Sequence, residues 1–242
     1  FCKRHAFKCC SIVALWMCGP RPFGHDGKAS SVSENRTWGV RFGAPSAPHV
    51  PTGTGMEPPL PEWVDISQTL ERWFAFVDVC GFTSFTERNG THAALDVLSR
   101  FRASVRSVTG RRGVRVLKWL GDGVMLIGVE PGPLIAAVCE LNMRFESEDF
   151  DVHAGIAGGQ VLLFEGDDYI GPAANHASRL CEAALPGEVL AFGAQGFLPD
   201  WVEAIDVRSI SASGIGVIDE VASLRVSDDL HDRKTLEHRI AS

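Results

Sequence analysis

Phe74-Ala75-Phe76-Val77-Asp78-Val79-Cys80-Gly81 sets a short apolar run against an aspartate and a glycine. A run of this length closed by a turn signal reads as a buried strand. A carboxylate simply buried at its end would be costly, so Asp78 is either a cap or a ligand. Downstream, Val114 to Leu120 and Val124 to Ile127 are rich in β-formers and flank Gly121-Asp122-Gly123, a tight-turn signature that makes them a hairpin.

The stretches between these strands read as helices. Thr83 is a candidate N-cap. Leu98, Phe101, Val105 and Val108 form one apolar stripe in a helix predicted over 93–108. A second helix is predicted over 133–145, with Pro133 in its first turn and Leu134, Ala137, Val138 and Leu141 on its buried face. Phe150, Val152, Ala154 and Ile156 alternate as a half-buried strand. Gly158-Gly159 is read as a turn into Val161 to Phe164. A polar loop, a helix over 173–184 and a strand over 189–192 follow. The order β-α-β-β-α-β with C-terminal additions predicts an α+β fold: a ferredoxin-like core, its antiparallel sheet carrying helices on one face.

Composition narrows the function. The 242 residues carry a formal net charge of −7, and no Lys/Arg stripe is present, which argues against nucleic acid as the partner. Of seven cysteines, four crowd the first eighteen positions, and no Cys/His spacing suits zinc. Cys80, Cys139 and Cys181 sit in apolar surroundings and read as small buried hydrophobes. The apolar run from Cys9 to Cys18 follows Lys3, Arg4 and Lys8 in the charge order of a signal peptide. It is about half the length of a membrane-spanning helix and lacks a small-residue cleavage signal. No membrane and a cytoplasmic location are therefore expected. Residues 1–61, with recurring Gly, Pro, Ser and Thr and no periodicity, read as a linker or disordered segment. Residues 62–226 form the domain and 227–242 a charged tail.

In the predicted topology the first strand lies beside the hairpin, so Asp78 and Asp122 converge. Each alone reads more readily as a turn residue than as a metal ligand. Together, beside glycine-rich backbone and a helix start, they suit magnesium, which takes one or two carboxylates and completes its shell with phosphate oxygens and water.

Three blocks resemble the signature blocks of class III nucleotidyl cyclases. They are Phe76-Val77-Asp78-Val79-Cys80-Gly81-Phe82-Thr83, Lys118-Trp119-Leu120-Gly121-Asp122-Gly123, and the stretch from Asp168-Tyr169-Ile170-Gly171 through Asn175 to Arg179. The resemblance spans about residues 72–226. It implies that Asp78 and Asp122 bind two magnesium or manganese ions per site. It also implies that Lys118 and Asp168 read adenine, where guanylate cyclases usually carry Glu and Cys. Asn175 and Arg179 match the pair that holds the ribose and the transferring phosphate, and their i, i+4 spacing puts both on one helical face. Arg179 is also spaced to pair with Glu182. The implied function is an adenylate cyclase, ATP to 3′,5′-cyclic AMP and pyrophosphate, at the interface of a head-to-tail homodimer. The alternatives are a catalytically impaired cyclase-like module for dimerisation or nucleotide sensing, and a guanylate cyclase.

The sequence departs from the pattern twice. Ala212-Ser213-Gly214-Ile215 stands where the family has a Lys-Gly-Ile-like turn, so Ser213 replaces a phosphate-directed lysine, with Arg208 as a nearby substitute. Trp119 is bulkier than the residue usually beside the adenine-reading lysine.

Overall fold

The computed structural model describes residues 69–146, 150–164 and 168–227; the predicted linker over 1–61 and the tail from 228 lie outside them. Their elements are β1 (Thr69–Val79), α1 (Phe82–Arg112), β2 (Arg115–Leu120), β3 (Gly123–Gly128), α2 (Pro131–Phe145), β4 (Val152–Phe164), β5 (Asp168–Ile170), α3 (Pro172–Ala183), β6 (Val189–Phe192), β7 (Val202–Ala212) and β8 (Gly216–Val226). The strands form one mixed sheet ordered β2-β3-β1-β4-β6-β8-β7, with β5 pairing β4 off this path. The β1-α1-β2-β3-α2-β4 core is antiparallel throughout its sheet; the added β6 joins β4 in parallel.

β1 is apolar at every position from Trp73 to Val77 because both of its faces are covered. Ala75 and Val77 face α1 and α2, in a core with Leu126, Ile156, Phe101, Val105, Leu134 and Phe145. Phe74 and Phe76 face the other way and pack with Met125, Ile127 and the small residues Ala173, Ala174 and Ala177 of α3. The two core helices thus share one face, as expected, and the added α3 covers part of the other.

Several boundaries differ from the sequence reading. Thr83 is not a cap: α1 begins at Phe82 after Gly81, whose φ of 67° is left-handed, and no side chain caps it. The helix also extends back from residue 93 across a kink at Gly90 (φ 82°, ψ 170°). Pro131, not Pro133, opens α2. The predicted Gly158-Gly159 turn is absent, and β4 runs unbroken for 13 residues. The glycines there make room instead of bending the chain. A Cβ at Gly158 would lie 2.4 Å from the Trp73 ring, and one at Gly155 would lie 2.2 Å from the Ala177 carbonyl oxygen. Gly155 is what lets α3 lie close on the sheet. Among the described residues no helix is long and apolar enough to cross a membrane.

Candidate active site

Asp78 is the penultimate residue of β1, paired with Gly123 of β3 on one side and His153 of β4 on the other. It is buried. Gly123 is required beside it, since a Cβ there would lie 2.7 Å from Asp78 Oδ1. Asp122 is the neighbour of Gly123 in the hairpin turn, so sheet register alone carries the two aspartates to one place. Burial raises the Asp122 carboxyl from 3.8 to about 6; the charge of Asp78 adds to this, while a backbone hydrogen bond and His153 oppose it. A carboxyl whose ionisation is opposed by burial and by a neighbouring carboxylate is relieved by a cation bound beside it.

Among the described residues no group of three or more His, Cys, Asp or Glu side chains could hold a metal. Two carboxylates alone suit magnesium or manganese that takes its remaining ligands from phosphate and water, and do not suit a cage made only of protein. The residues present therefore fit the group.

His153 was not foreseen. Its Nδ1 lies 2.7 Å from the Cys181 carbonyl oxygen, which can only accept, so Nδ1 carries a proton. Nε2 then faces Asp78 Oδ2 at 3.6 Å. The signal was available only through strand register, because His153 lies 75 positions from Asp78 in sequence.

Lys118 and Asp168 meet directly, Nζ to Oδ1, at 2.5 Å. A bulge in β2 arranges this. The register slips between Val116 and Lys118. Val116 and Trp119 pack into the α1–α2 core, whereas Leu117 and Leu120 pack on the α3 side. Strict alternation would give Lys118 the face of Val116; the bulge gives it the face opposite Trp119. The bulk of Trp119 is therefore directed away from Lys118, between Arg102 and Arg106 of α1.

Asn175 and Arg179 lie on α3. Asn175 is exposed and inside the helix, whose N-cap position is Gly171, so it is not a cap. Arg179 Nη1 donates to both oxygens of Glu182, at 3.0 and 2.8 Å. Glu182 in turn lines a small hollow with Asp78, Gly123 and Ser178. Ser213 falls in the β7–β8 turn. That hairpin packs on α3 through Leu180, Ala212 and Ile218, which sets the turn beside the helix of Arg179. Arg208 has its guanidinium engaged by Glu188 at 2.6 Å and Asp206 at 2.8 Å. Cys139 and Cys181 are buried thiols, as read, whereas Cys80, also read as buried, is partly exposed.

No family model matches the chain. An uncharacterized protein of Mycobacterium tuberculosis is 35% identical over 140 residues, covering 57% of this chain and 37% of that relative. The pH-sensitive adenylate cyclase of the same organism is 34% identical over 121 residues, 48% of this chain and 29% of its own length. An adenylate cyclase of Glutamicibacter nicotianae is 28% identical over 123 residues, 50% of this chain and 30% of its own. The chain thus matches between 29% and 37% of the length of these curated relatives. Among solved structures, the adenylyl cyclase CyaB from P. aeruginosa superposes with a TM-score of 0.53 at 23% identity, covering 66% of this chain and 95% of that one. The catalytic core of a rhodopsin-guanylyl cyclase with converted specificity, in complex with ATPalphaS, gives 0.55 at 16% identity, covering 66% and 97%. In fold the described residues match the catalytic domains of adenylyl and guanylyl cyclases, and in sequence the chain is similar to proteins named adenylate cyclase at 28–34% identity.

Proposed function

We propose that the chain is an adenylate cyclase, converting ATP to 3′,5′-cyclic AMP and pyrophosphate in a head-to-tail homodimer. The observation that carries this is the Lys118–Asp168 pair. A cationic donor 2.5 Å from an anionic acceptor offers complementary partners to adenine, whose ring nitrogen accepts and whose exocyclic amine donates. The corresponding edge of guanine has the reverse pattern, which disfavours GTP.

In this reading one protomer's Asp78 and Asp122 hold two magnesium or manganese ions beside the triphosphate. When bound, these ions supply charge neutralisation and lower the pKa of the ribose 3′-hydroxyl. The partner protomer supplies Lys118 and Asp168 for the base, Asn175 for the ribose and Arg179 for the α-phosphate, whose developing charge suits a guanidinium fork. The 3′-oxygen attacks the α-phosphorus in line, its proton passes to solvent, and the bond to the β-phosphate oxygen breaks as pyrophosphate leaves. Arg179 must exchange Glu182 for the phosphate to do this.

A second reading, a regulatory or nucleotide-sensing module with impaired chemistry, is favoured by Ser213 in the turn beside α3. One experiment separates them. Purified chain with manganese and ATP is expected to release cyclic AMP, and Asp78→Ala to abolish it. Ser213→Lys, restoring one phosphate-directed cation, is expected to raise turnover on the order of 10²-fold. ATP binding without product, from both the wild type and Ser213→Lys, supports the sensing module and overturns the enzyme.

A further inference from the structure

The two aspartates are not held equally firmly. Asp78 lies in a strand bonded on both sides, between β3 and β4. Asp122 lies in a turn between two glycines, with Gly121 in the left-handed region at φ 69°. Among the described residues, the hairpin strand that leads into it, β2, is an outermost strand of the sheet and has only β3 beside it. The ladder between β3 and β1 ends at the Asp78–Gly123 pairing, so Asp122 itself lies just outside the paired positions.

The missing restraint comes from α1. Trp119, two residues before Gly121 and paired with Val124 across the hairpin, lies under two guanidinium groups one helical turn apart. Arg102 Cζ is 5.0 Å and Arg106 Cζ 5.2 Å from the ring centroid. Arg102 also reaches past the ring, and its Nη2 donates to the Gly121 carbonyl at 3.4 Å. Its Nε is buried with no acceptor, and among the described residues Arg102 forms no ion pair. An apolar side chain would cover Trp119 without burying an unpartnered donor. What arginine adds is simultaneous hold of an aromatic face and of the carbonyl immediately before Asp122.

We propose that Arg102 and Trp119 are positioning residues that pin the hairpin tip to α1 and so fix Asp122 relative to Asp78 for binding a divalent cation. This rests on the reading of the two aspartates as the metal site. Trp119, a departure from the family pattern in the sequence, thereby acquires a function on the opposite face of β2 from the base-reading lysine.

The test is calorimetric titration of the full chain with manganese alone, without nucleotide, with thermal melting in chelator to report the fold. Arg102→Leu and Trp119→Leu are each expected to weaken manganese binding about tenfold, the range found when groups supporting a ligand are removed. Trp119→Phe, which keeps a ring for the guanidinium, is expected to stay within about twofold of wild type. Arg102→Lys, charged but without the fork, is expected to fall between. A purely structural role would lower the melting temperature and leave manganese affinity unchanged. Wild-type affinity in Arg102→Leu overturns the proposal; should that variant not fold, wild-type affinity in Trp119→Leu does the same. Asp78→Ala distinguishes the two levels. If it binds manganese like wild type, the metal site itself is wrong and this inference falls with it. If it loses the metal while Arg102→Leu and Trp119→Leu keep it, only the positioning role is wrong.

Discussion

Asp122 illustrates how a turn residue becomes a chemical group. A solvated hairpin-tip aspartate would titrate near 4, but burial first and the Asp78 charge second raise this one to about 6. The folded state therefore holds the Asp122 proton more tightly than the unfolded state. Without metal, this group makes the protein more stable as pH falls from about 6 toward 4, and that contribution is lost as pH rises back through 6. Urea denaturation in chelator between those limits is expected to show a steeper decline with rising pH for wild type than for Asp122→Asn. Equal slopes would mean that the carboxyl is not perturbed. Asp78→Asn removes the second cause only, so the Asp122 carboxyl, followed by carbon NMR, is expected to titrate lower than in wild type yet above a solvated aspartate.

At the scale of elements, α1 and α2 are joined by a buried charge as well as by their core. Glu140 of α2 is fully buried and accepts from Arg111 at 2.5 Å and from Arg112 Nε at 2.9 Å, both in the last turn of α1; Arg144 of α2 lies 2.7 Å away. Arg112 further stacks on Trp201, just before β7. Removing the central anion leaves Arg112, whose side chain is 16% exposed, buried without its counter-charge. Glu140→Ala is expected to cost about 3 kcal/mol, the low end for breaking a buried pair, read as a lowered denaturation midpoint. A loss no larger than that of an exposed ion pair would show that solvent replaces the carboxylate. α1 thus carries two tethers, Glu140 at its C-terminal end and the β2–β3 hairpin at its middle.

At the scale of the whole molecule, the proposed reaction needs residues from two copies. Mixing Asp78→Ala with Arg179→Ala chains tests this. Each homodimer lacks an essential group at both sites, whereas a head-to-tail heterodimer keeps one intact site. Free exchange makes half the dimers mixed, with one of two sites working, so about a quarter of wild-type turnover is expected from an otherwise silent pair. No recovery after verified subunit exchange would place all the groups of a working site on one chain. The same scale explains why the curated relatives inform this chain only in part, since it matches 37% of the first of them.

Much of the fold was legible in the sequence because periodicity, turn glycines and element order are local. The β1 run, the Gly121-Asp122-Gly123 hairpin and the β-α-β-β-α-β order needed no coordinates, and the three signature blocks named six candidate site residues. Sequence misread the glycines of β4, because a glycine that makes room for Trp73 or α3 looks the same as one that turns the chain. It left Arg179 between two roles and missed His153, since strand pairing alone brings that ring to Asp78. It showed the bulk of Trp119 beside Lys118 in sequence, but not that the two side chains take opposite faces of β2. A single bulge in β2 decides which face each residue takes, and a bulge is set by the competition of two cores for the same strand. Residue identity fixed what chemistry was available; register and packing decided which groups meet.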